Sequence, residues 1–213
     1  GLIGVPGNPF GEKPLEEYQR ELAGPGQDFY HTYWSTLDAV IEEIESDLRG
    51  WVEGLMYSVS GEGMLAAGFD INAADPIDLI RASALCIPHG HQQRERFTPA
   101  HPVPWMSDAD LDVYVEALER SGMHGPLCFY KNLPADQKYL EVCAGKPLAV
   151  PAYFLGAEYD VATWWGAEAL ARVDEVIADF RGQTILPNCG HWMQQERPDE
   201  TNRILIDFLN GLE

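Results

Sequence analysis

Two side chains stand where acid–base chemistry would need them: Asp160, which closes the run LAVPAYFLGAEYD, and His191, which follows the run TILPNCG. An imidazole changes charge near neutral pH, and a carboxylate beside it fixes its tautomer and stabilises the imidazolium formed when it takes a proton. Paired, the two would act as a general base toward water. By spacing alone the plainer reading is a loop histidine and an aspartate that caps a helix. The elements that carry the two residues must bring them within reach of each other for the pair to form.

Each residue ends a short apolar segment followed by a helical one. The first leads into a helix-like stretch from Trp164 to Phe180. The second leads, past the histidine, into RPDETNRILIDFLNGL, with Pro198 at a helix start and Ile204, Leu205, Phe208 and Leu209 on one face. Strand, helix, strand, helix in succession predicts a parallel pair, and parallel sheets gather their functional groups at the carboxyl ends of the strands. Asp160 and His191 would both sit there.

Upstream, residues 28–140 read as almost entirely helical, without strand alternation or an internal repeat. Leu37, Val40, Ile41, Ile44 and Leu48 make one apolar stripe. In MSDADLDVYVEALERSG, Ser107 is the N-cap, Asp108 and Asp110 fill the first turn, Leu111, Tyr114, Val115 and Leu118 face inward, and Gly122 ends the helix. The expected fold class is therefore α/β: a mainly helical cap over 1–146, opened by a Gly/Pro-rich loop, then a strand–helix part over 147–213.

A formal net charge of −20 argues against nucleic acid and anionic membrane, because phosphate binding needs clustered Lys and Arg. No apolar run approaches the roughly 20 residues that a membrane span requires, and the first residues lack the pattern of a signal peptide. Cys86, Cys128, Cys143 and Cys189 contain no CxxC pair and read as free thiols of a cytoplasmic protein. Glu42, Glu43, Glu45 and Asp47 read as the solvated face of a helix rather than a metal site. His89, His91 and His101, near Cys86, lie in a polar loop without ligand spacing, and SGEG at 60–63 is a Gly-rich turn with no ligand assigned.

The segments FLGAEYDVAT and NCGHWMQQERPDETNRILIDFL are similar to the closing third of epoxide hydrolases of the α/β-hydrolase superfamily. SGMHGPLCFYKNL and DFYHTYW resemble that family's two lid segments. The resemblance covers nearly the whole chain and is nearest to bacterial, mycobacterial-like members. It implies the chain order nucleophile, lid, acid, histidine, with Asp160 orienting His191. It also implies that Tyr30 and Tyr130 point from the lid into the pocket, where their phenols hydrogen-bond the epoxide oxygen and favour its departure as an alkoxide. A phenol of pKa about 10 stays protonated at neutral pH and roughly matches that leaving group. Tyr33, three residues along the same helix face, competes with Tyr30, and motif register favours Tyr30. His31, Trp34 and Phe129 flank the tyrosines and, with Trp192, line the apolar pocket in this reading.

The family attacks the epoxide with an aspartate on a strand-to-helix elbow and carries an upstream HGxP-type loop for the oxyanion. No Gly-x-Asp-x-Gly or Gly-x-Ser-x-Gly elbow occurs here, and Asp70 in GFD lies within the helical region rather than after a buried strand. The expectation is a chain that carries the lid and the last two strand–helix units and is inactive until a missing N-terminal half is supplied. Its small-molecule partner would be an apolar epoxide, opened to a vicinal diol with no metal or organic cofactor. One rival is a haloalkane dehalogenase or other ester-type hydrolase, which shares the Asp/His pair; a dehalogenase needs indole or amide donors for halide. The other is a non-catalytic module that binds another chain through its lid and open sheet edge. Two parallel strands without neighbours should aggregate or be partly ordered alone. A homodimer is compatible with these features.

Overall fold

Caps and breaks cut the upstream sequence into short helices. The computed structural model describes residues 14–72, 75–140 and 146–212. Within them, α1 Leu15–Ala23, α2 Tyr30–Ser35, α3 Asp38–Glu45, α4 Leu48–Ser58, α5 Gly61–Ala66, α6 Pro76–Ala82, α7 Asp108–Ser121 and α8 His124–Leu140 precede the parallel strands. Asp47, Ser60, Asp75 and Ser107 each accept a backbone N–H in the first turn of α4, α5, α6 and α7, satisfying donors that a helix start leaves open. Leu37 separates α2 from α3 at a φ of 52°. So sparsely populated a backbone state costs leucine about 1–3 kcal/mol, which burial of its side chain in the core offsets.

One core forms where α3, α4, α7 and α8 meet: Val40, Ile44, Trp51, Met56, Leu111 and Leu127 pack with Trp34 and Leu37. The burial follows helical spacing, and it carries one acidic residue inward. Glu43, expected on the solvated face, is 2% exposed. It accepts Tyr33 Oη at 2.5 Å and Arg94 N at 2.9 Å. Its place beside Ile44 on the inner turn of α3 decides this, and a carboxylate so buried must be hydrogen-bonded.

The regular structure of the upstream region is mainly helical, as expected for 28–140, with one short ribbon besides. β1 Gln27–Phe29 pairs antiparallel with β2 Cys86–Pro88, Phe29 opposite Cys86. Strands of three residues are too short for alternation to register, and only tertiary contact selects the partner. The ribbon matters to the site because Tyr30 N, opening α2, donates to Leu85 O at 2.8 Å.

Downstream, β3 Ala152–Ala157 and β4 Phe180–Leu186 run parallel, with Leu155 opposite Thr184 and Ala157 opposite Leu186. The connection is more broken than the single helix expected from Trp164 to Phe180. It consists of α9 Val161–Trp165, α10 Ala167–Ala171 after Gly166, and a 3₁₀ turn at Val173–Glu175, and Phe180 already belongs to β4. α11 Met193–Glu196 and α12 Pro198–Asn210 follow, Pro198 opening α12 as expected. Ile204, Leu205 and Phe208 are half-buried, but Leu209 is exposed rather than on the packed face. No described helix is long and apolar enough to cross a membrane.

Candidate active site

Backbone hydrogen bonds tie the ends of the two parallel strands together. Glu158 N donates to Leu186 O at 2.9 Å and Tyr159 N to Cys189 O at 2.8 Å. The segments leaving β3 and β4 thus run side by side and bring Asp160 to His191, Oδ1 lying 3.1 Å from Nδ1. The same oxygen accepts Ala162 N–H at 3.0 Å and caps α9, so the helix-capping aspartate and the histidine partner are one residue. With the ring proton on Nδ1 facing the carboxylate, the lone pair of Nε2 is the free base. Asp160 is buried, whereas the His191 side chain is 49% exposed. Burial alone would pull the His191 pKa down; the Asp160 hydrogen bond and charge, aided by Glu196, outweigh it and hold the pKa above the usual value.

The lid carries an aromatic cluster. Tyr30 and Trp34, four apart on α2, fall on one side of the helix, and Tyr130 of α8 completes the group. Ring centroids are 4.9 Å apart for Tyr30–Trp34, 5.7 Å for Tyr30–Tyr130 and 4.5 Å for Trp34–Tyr130, all edge to face. Burial, and then the charges of Tyr130 and Asp160, push the Tyr30 phenol pKa up; burial does the same for Tyr130. Tyr30 therefore lies in the field of the aspartate that holds His191. Tyr33 is committed to Glu43 and does not join the cluster.

Of the expected lining residues, His31 and Trp34 are with the tyrosines. The His31 ring lies 4.2 Å from Tyr30 and 5.5 Å from Tyr130, its Nδ1 meets Gln19 Nε2 at 3.0 Å, and burial pushes its pKa down to about 4. Trp34 Nε1 donates to the buried Gln93 Oε1 at 2.6 Å. Trp192 packs edge-on against His191 at 4.8 Å, and its Nε1 donates to Met56 O at 2.8 Å. Phe129 is a correction: it is 78% exposed among the described residues. One residue along a helix is about 100° around it, so turning Tyr130 inward turns Phe129 out.

The remaining sequence candidates go separate ways. Asp70 is exposed and its Oδ1 accepts Asn72 N at 2.9 Å in a turn. His89 faces Asp28 at 3.5 Å, His91 faces Glu95 at 2.8 Å, and His101 lies against the Tyr57 ring. Among the described residues no group of three His, Cys, Asp or Glu gathers to hold a metal. Cys143 lies outside the described residues. Sequence reasoning passed over Glu196, whose only advance signal was an acidic residue in the turn after His191.

No family model matches the chain. Over its whole length the chain is 50% identical to epoxide hydrolase B of Mycobacterium tuberculosis, of which it spans 62%. The likeness over the whole chain is thus to epoxide hydrolases. It is also 35% identical to epoxide hydrolase A of the same organism, over 54% of this chain and 35% of that protein. Among solved structures, an epoxide hydrolase from an endophytic Streptomyces matches with a TM-score of 0.84 and 35% identity over 98% of this chain and 59% of its own. Potato epoxide hydrolase matches with a TM-score of 0.77 at 18% identity, over 98% of this chain and 60% of its own, a likeness of fold alone. The chain has the α/β-hydrolase fold, as a partial core with a mainly helical lid, and spans about three-fifths of the length of these relatives.

Proposed function

We propose that this chain supplies the water-activating base and the epoxide-polarising acids of an enzyme that opens an apolar epoxide to a vicinal diol. One convergence carries the reading: Asp160 holds His191 at 3.1 Å, and the charge of the same aspartate reaches Tyr30, whose ring meets that of Tyr130 at 5.7 Å. In this reading residues 1–146 form the cap and 147–213 belong to the core. A carboxylate from a segment outside these 213 residues attacks one epoxide carbon. The carbon–oxygen bond breaks as Tyr30 and Tyr130 hydrogen-bond the departing oxygen and one phenol gives it a proton. Burial raises both phenol pKa values, which keeps them protonated and therefore donors at neutral pH.

Nε2 of His191 next takes a proton from water as the water oxygen attacks the ester carbonyl, and Asp160 stabilises the imidazolium. Collapse of the tetrahedral intermediate frees the diol and the carboxylate, and the imidazolium proton restores the phenol. His31, Trp34 and Trp192 supply the walls, and no cofactor takes part. The indoles of the two wall residues Trp34 and Trp192 already donate to Gln93 and Met56 and so are not free to hold a halide. Free thiols at Cys86, Cys128 and Cys189 support a cytoplasmic setting.

The test is diol formation from styrene oxide by the purified chain, with and without a separately expressed nucleophile-bearing segment. Turnover only with that segment is the expected outcome. Turnover by the chain alone would put the nucleophile inside it and overturn the assignment. A stable complex with the segment and no turnover would support the non-catalytic role.

A further inference from the structure

The loop carrying His191 is held by a carboxylate that the mechanism above does not use. Glu196, at the end of α11, is 5% exposed. Its Oε2 accepts Gly190 N at 2.8 Å and Gly61 N at 3.0 Å, and its Oε1 accepts Trp192 N at 3.0 Å. His191 N donates to Val59 O at 2.9 Å, and the Trp192 indole to Met56 O at 2.8 Å. The three consecutive N–H groups of 190–192 are thus all fixed, two of them by one side chain. Met56, Val59 and Gly61 all lie at the α4–α5 junction of the lid.

The backbones at this joint touch. A Cβ on Gly190 would stand 2.4 Å from Gly61 N and 2.5 Å from Val59 O, and one on Gly61 would stand 2.9 Å from Asn188 O. This gives the Gly-rich turn SGEG a role: Ser60 caps α5, and Gly61 lets the histidine loop close onto it. A carboxylate accepting from three backbone donors forms charge-assisted bonds, and removing it leaves those donors buried without partners.

We infer that Glu196 is the positioning residue of His191: by bridging the N–H groups on both sides of the histidine and that of Gly61, it aims the imidazole at Asp160 and locks the loop to the lid. The consequence for catalysis rests on the proposed role of His191 as base; the geometric claim does not.

The test compares Glu196→Gln, Glu196→Asp and a control, Glu43→Gln, in the full chain by nitrogen-15 NMR of the imidazoles. Glu43 is also buried and hydrogen-bonded to a backbone N–H, but it serves Tyr33 and Arg94. Asp160 and Glu196 are the charges that raise the His191 pKa, so Glu196→Gln should lower the His191 midpoint and weaken the downfield Nδ1–H signal. Glu196→Asp should recover part of both, and Glu43→Gln should move neither. A folded Glu196→Gln chain with unchanged His191 signals overturns the inference.

Amide exchange in the unmodified chain gives an answer that does not depend on the variants folding. Gly61, Gly190 and Trp192 should exchange with one common protection and lose it together as acid protonates Glu196. Three unrelated exchange rates would refute the bridge. These readouts need no turnover, so a failed diol assay beside intact His191 signals counts against the proposed function and not against Glu196.

Discussion

In the helical lid, α3, α7 and α8 bury Val40, Ile44, Leu111 and Leu127 to 2% exposure or less. Among the described residues the β3–β4 unit gathers a smaller buried cluster, Ala157, Leu186 and Cys189, and exposed apolar side chains occur in both units, Phe129 on α8 and Leu209 on α12. Asp160 and His191 belong to the second unit, with the smaller core. Their geometry is nevertheless defined, because the His191 loop is pinned by hydrogen bonds to Val59, Met56 and, through Glu196, Gly61. The lid is therefore part of the frame that holds the His191 loop. Burial stabilises the lid, and directional polar contacts position the chemistry.

The largest expected effect is on turnover. With the nucleophile-bearing segment supplied, His191→Gln should slow diol release by about three to four orders of magnitude and let an alkyl ester accumulate, seen as a stoichiometric burst by mass spectrometry. A folded variant with undiminished steady-state turnover would detach the base from this unit. Tyr130→Phe should slow epoxide opening about 10²–10³-fold, the usual cost of one lost oxyanion donor, while leaving the melting profile nearly unchanged. Ring opening at the normal rate in a single-turnover assay would take Tyr130 out of the chemistry.

Stability should divide the other way. Ile44→Ala, in the closed lid core, should cost about 2–5 kcal/mol in a denaturant titration, because Ile44 is fully buried. Leu209→Ala on α12 should change stability by no more than about 0.5 kcal/mol. Equal losses at the two positions would break the contrast between the units.

The two site histidines sharpen that contrast through pH. His31 in the lid has a pKa pushed down to about 4, so the folded state binds fewer protons than the unfolded one between about 4 and 6.5. Its contribution to stability is lost as pH falls through that window. His191 is shifted upward, so its contribution is complete below the ordinary histidine pKa of about 6.5 and lost as pH rises through the raised value. Urea midpoints against pH should therefore flatten on the acid side in His31→Gln and on the alkaline side in His191→Gln. The His191 effect should be the smaller, because the side chain is half exposed. Flattening on the same side of the pH range in both variants would overturn one of the two assignments.

Much of this architecture was legible in local sequence. The caps at Ser107 and Pro198 act within one turn, so α7 and α12 begin where these residues announce them. Asp160 and His191 follow apolar runs that become parallel strands, and sequence order alone brings both to the same edge. Tyr30 was separable from Tyr33 only by motif register. The structure separates them physically, because the buried Glu43 takes the Tyr33 hydroxyl. Phe129 was misplaced because adjacency in sequence is not adjacency on a helix face.

What the sequence by itself determined is therefore what short-range rules govern: helix starts and stops, the order of strand and helix, and which residue types could do acid–base work. Tertiary structure alone decided the pairing of Phe29 with Cys86, the inward turn of Glu43, and the bridge from Glu196 to Gly190, Trp192 and Gly61. Each joins groups that carry no pattern of their own. A backbone N–H or a lone carboxylate acquires a partner only when distant segments are packed together, and the cost of leaving it buried and unpaired then fixes the choice.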